Sequence, residues 1–266
     1  MVGRDLRVPD SLNRVVAITP SAAEFAVALG LVVVGRTTDA AFAPVASATT
    51  VGSSLAPDFN AIAALQPDLV IGDTAFDGAR LQDFERFAYP VFLLKVSSYE
   101  DVLLALGALG DATGRVPQAR DAATALAIEV DSLVQQFTGR PSPTVVILTG
   151  SGREVYAGSN QTYIGSLVKE LGGTNLLAEA ATGAPIAGFA TVEVTAIASR
   201  NPSVVLTLAS GSGGLAAQII ASPAWANSRA VKDRRVFELD TNAFLRAPGP
   251  GVLKALQTLA DLLYAR

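Results

Sequence analysis

Short runs of β-branched and aliphatic residues alternate with longer Ala- and Leu-rich stretches along most of the chain. RVVAITP, from Arg14 to Pro20, reads as a strand, and SAAEFAVALGL follows it with apolar positions at helical spacing. Ser21 and Glu24 stand at the separation of a capping box, and Gly30 marks the end of this helix. VVVG begins a second apolar run, and TTDAAFAP reads as a loop. A helix over about Phe59 to Leu65 stops at Pro67, because proline disfavours helical geometry at Gln66 and has no amide to donate. DLVIG then reads as a strand, Gly78 to Ala88 as a helix, YPVFLLKV as a strand, and Ser98 to Asp101 cap a helix that runs through DVLLALGALGDATG. Strands alternating with helices predict a mostly parallel sheet covered on both faces.

The order then repeats. AIAALQPDLVI starts at Ala61 and AIASRNPSVVL at Ala196, an offset of 135 with five of eleven positions identical. TVVILTG, from Thr144, matches RVVAITP at an offset of 130. YIGSLVKELGG ends on Leu-Gly as AVALGL does, and RRVFELDT answers YPVFLLKV. Their common order, more than any one match, predicts two similar α/β lobes.

Between the copies lies PQARDAATALAIEVDSLVQQFT, with Ala119, Ala122, Leu126, Val130, Leu133 and Phe137 at spacings of three and four. Some 21 helical residues span about 31 Å. The expected organisation is an N-terminal α/β lobe over 1–115, one rigid connecting helix over 116–139 and a C-terminal α/β lobe over 140–266. Sheets of this kind bind ligands beyond the carboxyl ends of their strands, so a cleft between two such lobes is the expected site.

Half of the residues are hydrophobic and only 17% are charged, which supplies ample core and excludes a disordered chain. The formal charge of −4, without a Lys or Arg cluster, argues against nucleic acid as a partner. There is no His and no Cys, which excludes Ser-His-Asp and Cys-His catalysis, thiolate and imidazole metal sites, and disulfides. No stretch has the roughly 20 uninterrupted apolar residues of a membrane span, and the opening MVGRDLRVPD lacks a secretory pattern.

Topology points to the loops that follow the strands. In the first lobe these are Thr19 to Ser21, Asp39 to Phe42, Ser53 to Leu55, Asp73 to Phe76, and Ser97; in the second, Ser151 to Tyr156, Ala184 to Phe189, Ser210 to Gly214, and Asn242 to Arg246. Ser21, Asp39, Phe42, Ser54, Phe76, Arg153, Tyr156, Phe189, Phe244 and Arg246 are the candidate ligand contacts. Arg153 and Arg246, with Arg36 and Arg80 from the first lobe, offer guanidinium forks suited to carboxylate or catecholate oxygens. Trp225 reads as core. GSGG, from Gly211 to Gly214, precedes LAAQII but lacks the full glycine pattern of a dinucleotide fingerprint, and reads as a turn lining the cleft.

RDLRVPDSLNRVVAITPSAAEFAVALGL, AIAALQPDLVIG, GSNQTYIGSLVKELGGTNLL and APGPGVLKALQTLADLLYA together resemble the substrate-binding proteins of ABC importers of the helical-backbone class, which take up cobalamin, haem and ferric siderophores. The resemblance extends from about Asp5 to Tyr264. It implies a non-enzymatic monomeric receptor with no resident cofactor, periplasmic or held outside the membrane as a lipoprotein, that delivers a small-molecule metal chelate to a permease dimer. A ferric siderophore or related iron complex is the first expectation, and a corrinoid or haem the alternative. Related cobalamin receptors line the cleft with Trp and Tyr, whereas this chain has Asp39, Ser54 and Asp73 there and keeps an aromatic at Phe189; haem receptors place a Tyr where Ser53 and Ser54 stand. The class also carries a permease-docking Glu seven positions before the repeated proline of each lobe. Those positions are Asn60 and Thr195 here, with Asp58 and Glu193 two residues earlier as the matched acids. Two other roles remain on this scaffold: a sensor that binds without feeding a permease, and an enzyme using Asp39 and Asp73 as its acid and base.

Overall fold

The computed structural model describes residues 11–84, 89–151, 154–177, 179, 184, 187–208, 214–241, 243–244 and 248–265. The chain separates into two compact units, the first comprising Met1–Val96, Glu100–Ile128 and Gly249–Gly251, the second Ser97–Tyr99, Glu129–Pro248 and Val252–Arg266.

The first unit is built on a five-stranded sheet. Its strands are β1 (Val15–Ala17), β2 (Val33–Arg36), β3 (Thr49–Thr50), β6 (Leu69–Asp73) and β7 (Val91–Leu94), in the order β3-β2-β1-β6-β7. All four pairings are parallel. β4 (Gly52–Ser53) and β5 (Ala56–Pro57) form a separate two-stranded hairpin. Helices α1 (Pro20–Ala28), α2 (Phe59–Ala64), α3 (Thr74–Asp77) and α4 (Leu81–Phe84) connect these strands. β1 is buried throughout, as a parallel strand covered on both faces must be. Val16, Ile18, Val51, Ile62, Val70 and Phe84 pack together on one face, and Phe59 meets Phe84 edge to face with centroids 5.0 Å apart. Each such side chain removed from water is worth about 2 kcal/mol.

Two local expectations change. The N-cap of α1 is Thr19, whose hydroxyl accepts from the Ala22 amide at 3.0 Å, so Ser21 is already inside the first turn. Glu24 therefore caps nothing on its own helix; its carboxylate accepts the Gly251 amide at 2.9 Å instead. The single helix expected over Gly78 to Ala88 is broken into α3, a 3-10 turn over Gly78–Arg80, and α4, with 85–88 outside the described residues.

α5 (Tyr99–Thr113) precedes α6 (Val116–Gln135), and the boundary between the units falls inside α6, after Ile128. At 1.5 Å per residue this helix is about 30 Å long.

The second unit has a six-stranded sheet made of β8 (Thr144–Ser151), β9 (Glu154–Gly158), β10 (Thr174–Asn175), β11 (Phe189–Thr191), β12 (Val204–Leu208) and β13 (Val236–Glu238). Here β8 has the place of β1. It pairs in parallel with β10 and β12 as β1 does with β2 and β6, and β13 extends the parallel run as β7 does. The difference is an antiparallel pair, β9 and β11, added along the edge that β10 covers only over Thr144 and Val145. α7 (Tyr163–Glu170), α8 (Val194–Ser199), α9 (Leu215–Ala221), α10 (Arg229–Lys232) and α11 (Val252–Tyr264) complete this unit. Trp225 lies in a turn after α9, fully buried beside Val205, Leu215 and Ile219. No helix among the described residues is long and apolar enough to cross a membrane.

The repeated segment folds the same way twice, as α2-turn-β6 and α8-turn-β12. Both helices end with a non-glycine residue in the left-handed region, Gln66 at φ 46° and Asn201 at φ 53°. This reversal, followed by Pro67 and Pro202, turns each chain into its strand. In each copy the residue after proline donates to the first strand, Asp68 to the Arg14 carbonyl and Ser203 to the Thr144 carbonyl, both at 2.9 Å.

Candidate functional site

The parallel strands of the first unit deliver their following loops to one rim. There the carboxylate of Asp39 accepts from the Ser54 hydroxyl at 2.6 Å and from the Ser54 amide at 3.3 Å. This joins the loop after β2 to the turn of the β4–β5 hairpin. From the other side, Arg80 donates Nη1 to the Ser54 carbonyl at 3.2 Å and Nη2 to the Leu55 carbonyl. The same Nη1 lies 3.4 Å from Oδ1 of Asp77, whose Oδ2 accepts the Asp73 amide at 3.0 Å. Asp73 in turn caps α3 by accepting the Ala75 amide at 2.7 Å. A continuous polar chain, Asp39–Ser54–Arg80–Asp77–Asp73, thus holds three loops on one edge.

Its carboxylates differ in character. Asp73 and Asp77 are both buried, and desolvation pushes each up to about 6; for Asp73 the neighbouring Asp77 charge adds to the rise, while for Asp77 the Asp73 amide and then Arg80 work against it. Asp39 is exposed; burial pulls its carboxyl upward, but the hydrogen bonds led by the Ser54 hydroxyl outweigh this and hold it below the usual range. Gly72 permits the close approach, since a Cβ there would come within 2.6 Å of Asp77 Oδ2 and 2.9 Å of Ile18.

Of the first-unit candidates, Asp39 and Ser54 are brought together, with Ser54 itself buried. Ser21 is fully buried and presents nothing to solvent, the consequence of α1 starting at Pro20. Phe42 is half-buried ahead of a 3-10 turn, and the Phe76 side chain lies outside the described residues. Arg36 is not a free cation; its guanidinium donates to the carbonyls of Val45, Thr37 and Ala46 at 3.0 to 3.2 Å. Arg80 is likewise committed to the hairpin. Asp77 was absent from the sequence expectations, although its spacing of four from Asp73 and three to Arg80 was the available signal.

In the second unit Tyr156 is half-buried on β9, and its hydroxyl donates to Glu154 at 3.1 Å. Phe189 does not face outward: it is 2% exposed, and its ring closes over Gly158, where a Cβ would stand 3.0 Å from it. Phe244 is 3% exposed and equally interior. Arg153 and Arg246 lie outside the described residues. The helix start after the glycine-rich segment is already occupied by an internal anion, because the Ala216 amide of α9 donates to Glu238 at 2.8 Å. That fills the position a phosphate would take in a dinucleotide fold.

Asp58 and Glu193 fall on the same position of the repeat, each the N-cap residue of its helix and each exposed. Asp58 caps α2 through the Asn60 and Ala61 amides, whereas Glu193 makes no capping bond. Asn60 and Thr195, two positions further on, are exposed as well.

Comparison with known proteins accounts for this architecture. Residues 15–243 match the family model of the periplasmic binding proteins. A cobalamin-binding protein of Halobacterium salinarum is 26% identical over 268 residues, covering 95% of this chain and 69% of its own. The high-affinity heme uptake system protein IsdE of Staphylococcus aureus is 22% identical over 80% of this chain and 74% of its own. Among solved structures, an ABC transporter substrate-binding protein from Listeria monocytogenes superposes with a TM-score of 0.81 at 24% identity, covering 96% of this chain and all of that one. With this match to the family model over most of its length, and with the two-unit architecture to go with it, the chain belongs to the periplasmic binding protein family.

Proposed function

We propose that this protein is an extracytoplasmic receptor for a preformed metal chelate whose coordination sphere is filled by the chelate's own donors, and that it hands this cargo to an ABC permease. The observation that carries the reading is the internal saturation of the first-unit rim: Asp39, Ser54, Asp73, Asp77 and Arg80 direct the hydrogen bonds described above at one another and at backbone groups. With no His, no Cys and a single Met, the chain also lacks soft or imidazole ligands for an open metal position. Such a rim recognises a ligand by shape and apolar contact more than by coordination.

The arginines bear on which chelate. A ferric catecholate calls for convergent cations, yet Arg36 and Arg80 are spent on backbone carbonyls. A corrinoid, whose cobalt is saturated by its own ring and axial groups, therefore moves ahead of a ferric siderophore, and the likeness to a cobalamin-binding protein over 95% of the chain supports that order. Calorimetric titration with cyanocobalamin, haemin, a ferric hydroxamate and a ferric catecholate tests the reading. Micromolar or tighter binding of one of the four is expected, and absence of any binding overturns it.

The catalytic alternative finds little support, since the acids brought together are Asp73 and Asp77, buried and held by backbone amides. Docking on the permease is assigned to Asp58 and Glu193, whose matched N-cap positions leave both carboxylates at the surface. Reversing both charges to Lys should abolish uptake while leaving ligand binding intact; undiminished uptake would refute the assignment.

A further inference from the structure

The turn of the β4–β5 hairpin is held in an unusual way for an exposed loop. Each strand of the hairpin contributes two residues, too few for a two-stranded ribbon to hold its own place in water. Its position is set from outside, by Asp39 on the Ser54 amide and hydroxyl and by Arg80 on the Ser54 and Leu55 carbonyls. Arg80 can span both carbonyls because Asp77, fully buried behind it, fixes its guanidinium. What the clamped turn turns outward is Leu55, whose side chain is 56% exposed. Burying a carboxylate to steady a surface turn costs stability, and such arrangements concentrate where function needs a fixed geometry.

We propose that Arg80, anchored by Asp77, is the positioning residue for the Ser53–Ala56 hairpin, and that mild acid loosens this clamp so that the receptor holds its ligand less tightly while its fold becomes more stable. The inference rests on the receptor reading above and concerns regulation of the same rim. Asp77 and Asp73 are the groups that take up protons, being raised by burial, and once Asp77 is neutral Arg80 loses its ionic anchor. α3 packs on β6, β7 and the 3-10 turn, and the only titratable groups these bring are Asp73 and Arg80. Asp83 on α4, three positions beyond Arg80, is the remaining acid among the described residues of that stretch. Asp39 stays ionised on the far side of the turn, its carboxyl held below the usual range. Opposite trends in stability and affinity separate this device from simple acid damage, which would lower both.

The test uses the whole chain, with cyanocobalamin, haemin and ferric hydroxamate as probes, at about pH 7.5 and about pH 5. For whichever probe binds, wild-type affinity is expected to weaken about tenfold at the lower pH, the worth of one ionic hydrogen bond. Asp77→Asn keeps the acceptor for the Asp73 amide but removes the charge, so it should bind at the weaker level at both pH values; Arg80→Ala should match it, and Arg80→Lys should recover part of the affinity. Hydrogen exchange of the peptide covering 51–58, measured without ligand, should be faster in Asp77→Asn than in wild type at the higher pH. Wild-type affinity and wild-type exchange in Asp77→Asn would overturn the inference. Binding of no probe by the wild type would overturn the receptor reading instead, and exchange would then decide the clamp alone.

Discussion

Replacing Asp73 by Asn should stabilise the protein at neutral pH. Asp73 is the N-cap of α3 and its Oδ1 accepts the Ala75 amide at 2.7 Å, a role Asn fills equally well, so the hydrogen bond survives the change. What disappears is a buried charge. The folded carboxyl is raised from 3.8 to about 6, chiefly by desolvation. At 1.36 kcal/mol per unit, the ionised form costs the folded state at most about 3 kcal/mol, and about 2 once sharing with Asp77 is allowed for. The sign follows from linkage: between pH 4 and pH 6, roughly, the folded state keeps a proton the unfolded chain has lost, so stability falls as pH rises through this window and levels off above it. Asp73→Asn removes that fall and, by removing a like charge, lowers the pKa of Asp77 as well. Urea unfolding followed by far-ultraviolet circular dichroism at about pH 4.5, 6 and 7.5 reads both effects, with a gain of about 2 kcal/mol expected at the highest pH and little at the lowest. A variant no more stable than wild type near neutrality, or one with an undiminished pH dependence, would refute the reasoning.

Gly251→Ala would place a Cβ about 3.0 Å from both Glu24 oxygens, and calorimetry should show a loss of about 1–3 kcal/mol; Glu24→Gln, which keeps an acceptor for the Gly251 amide, should stay within about 0.5 kcal/mol of wild type. Gln66→Gly relieves the left-handed strain at the end of α2 and should stabilise by about 0.5–1 kcal/mol in denaturant titration, whereas Gln66→Val should destabilise. Trp225→Ala empties a fully buried site in the second unit and should cost about 3–5 kcal/mol in denaturant titration.

Much of this architecture was legible in the sequence because it rests on local rules. Alternation of short apolar runs with Ala-rich stretches gave the parallel sheets, and the two Ala-Ile-Ala to Pro segments located the matching helix-turn-strand in each unit. Part of what escaped notice depends on pairs far apart in the chain. Ser21 and Glu24 satisfy the capping-box spacing, yet Thr19 already held the cap and Glu24 was needed by Gly251, 227 positions away. The antiparallel β9 and β11 were invisible because an added hairpin shares the alternation of any strand. At the rim, Asp39 and Ser54 were found from topology, but a loop assignment cannot tell inward from outward, which is why Ser21, Phe189 and Phe244 proved to be interior. Asp77 was missed because a carboxylate inside a short helix reads as a surface charge until Arg80 and the Asp73 amide are seen around it.

The chain contains one tryptophan, and that residue is 0% exposed within the core of the second unit, its indole N–H finding no acceptor among the described residues. Its emission is therefore a dry, short-wavelength signal that belongs to one unit alone. Circular dichroism reads helices and strands of both units, so following the two signals through a single thermal ramp yields, without any label, the degree to which the halves of this duplicated chain melt as one.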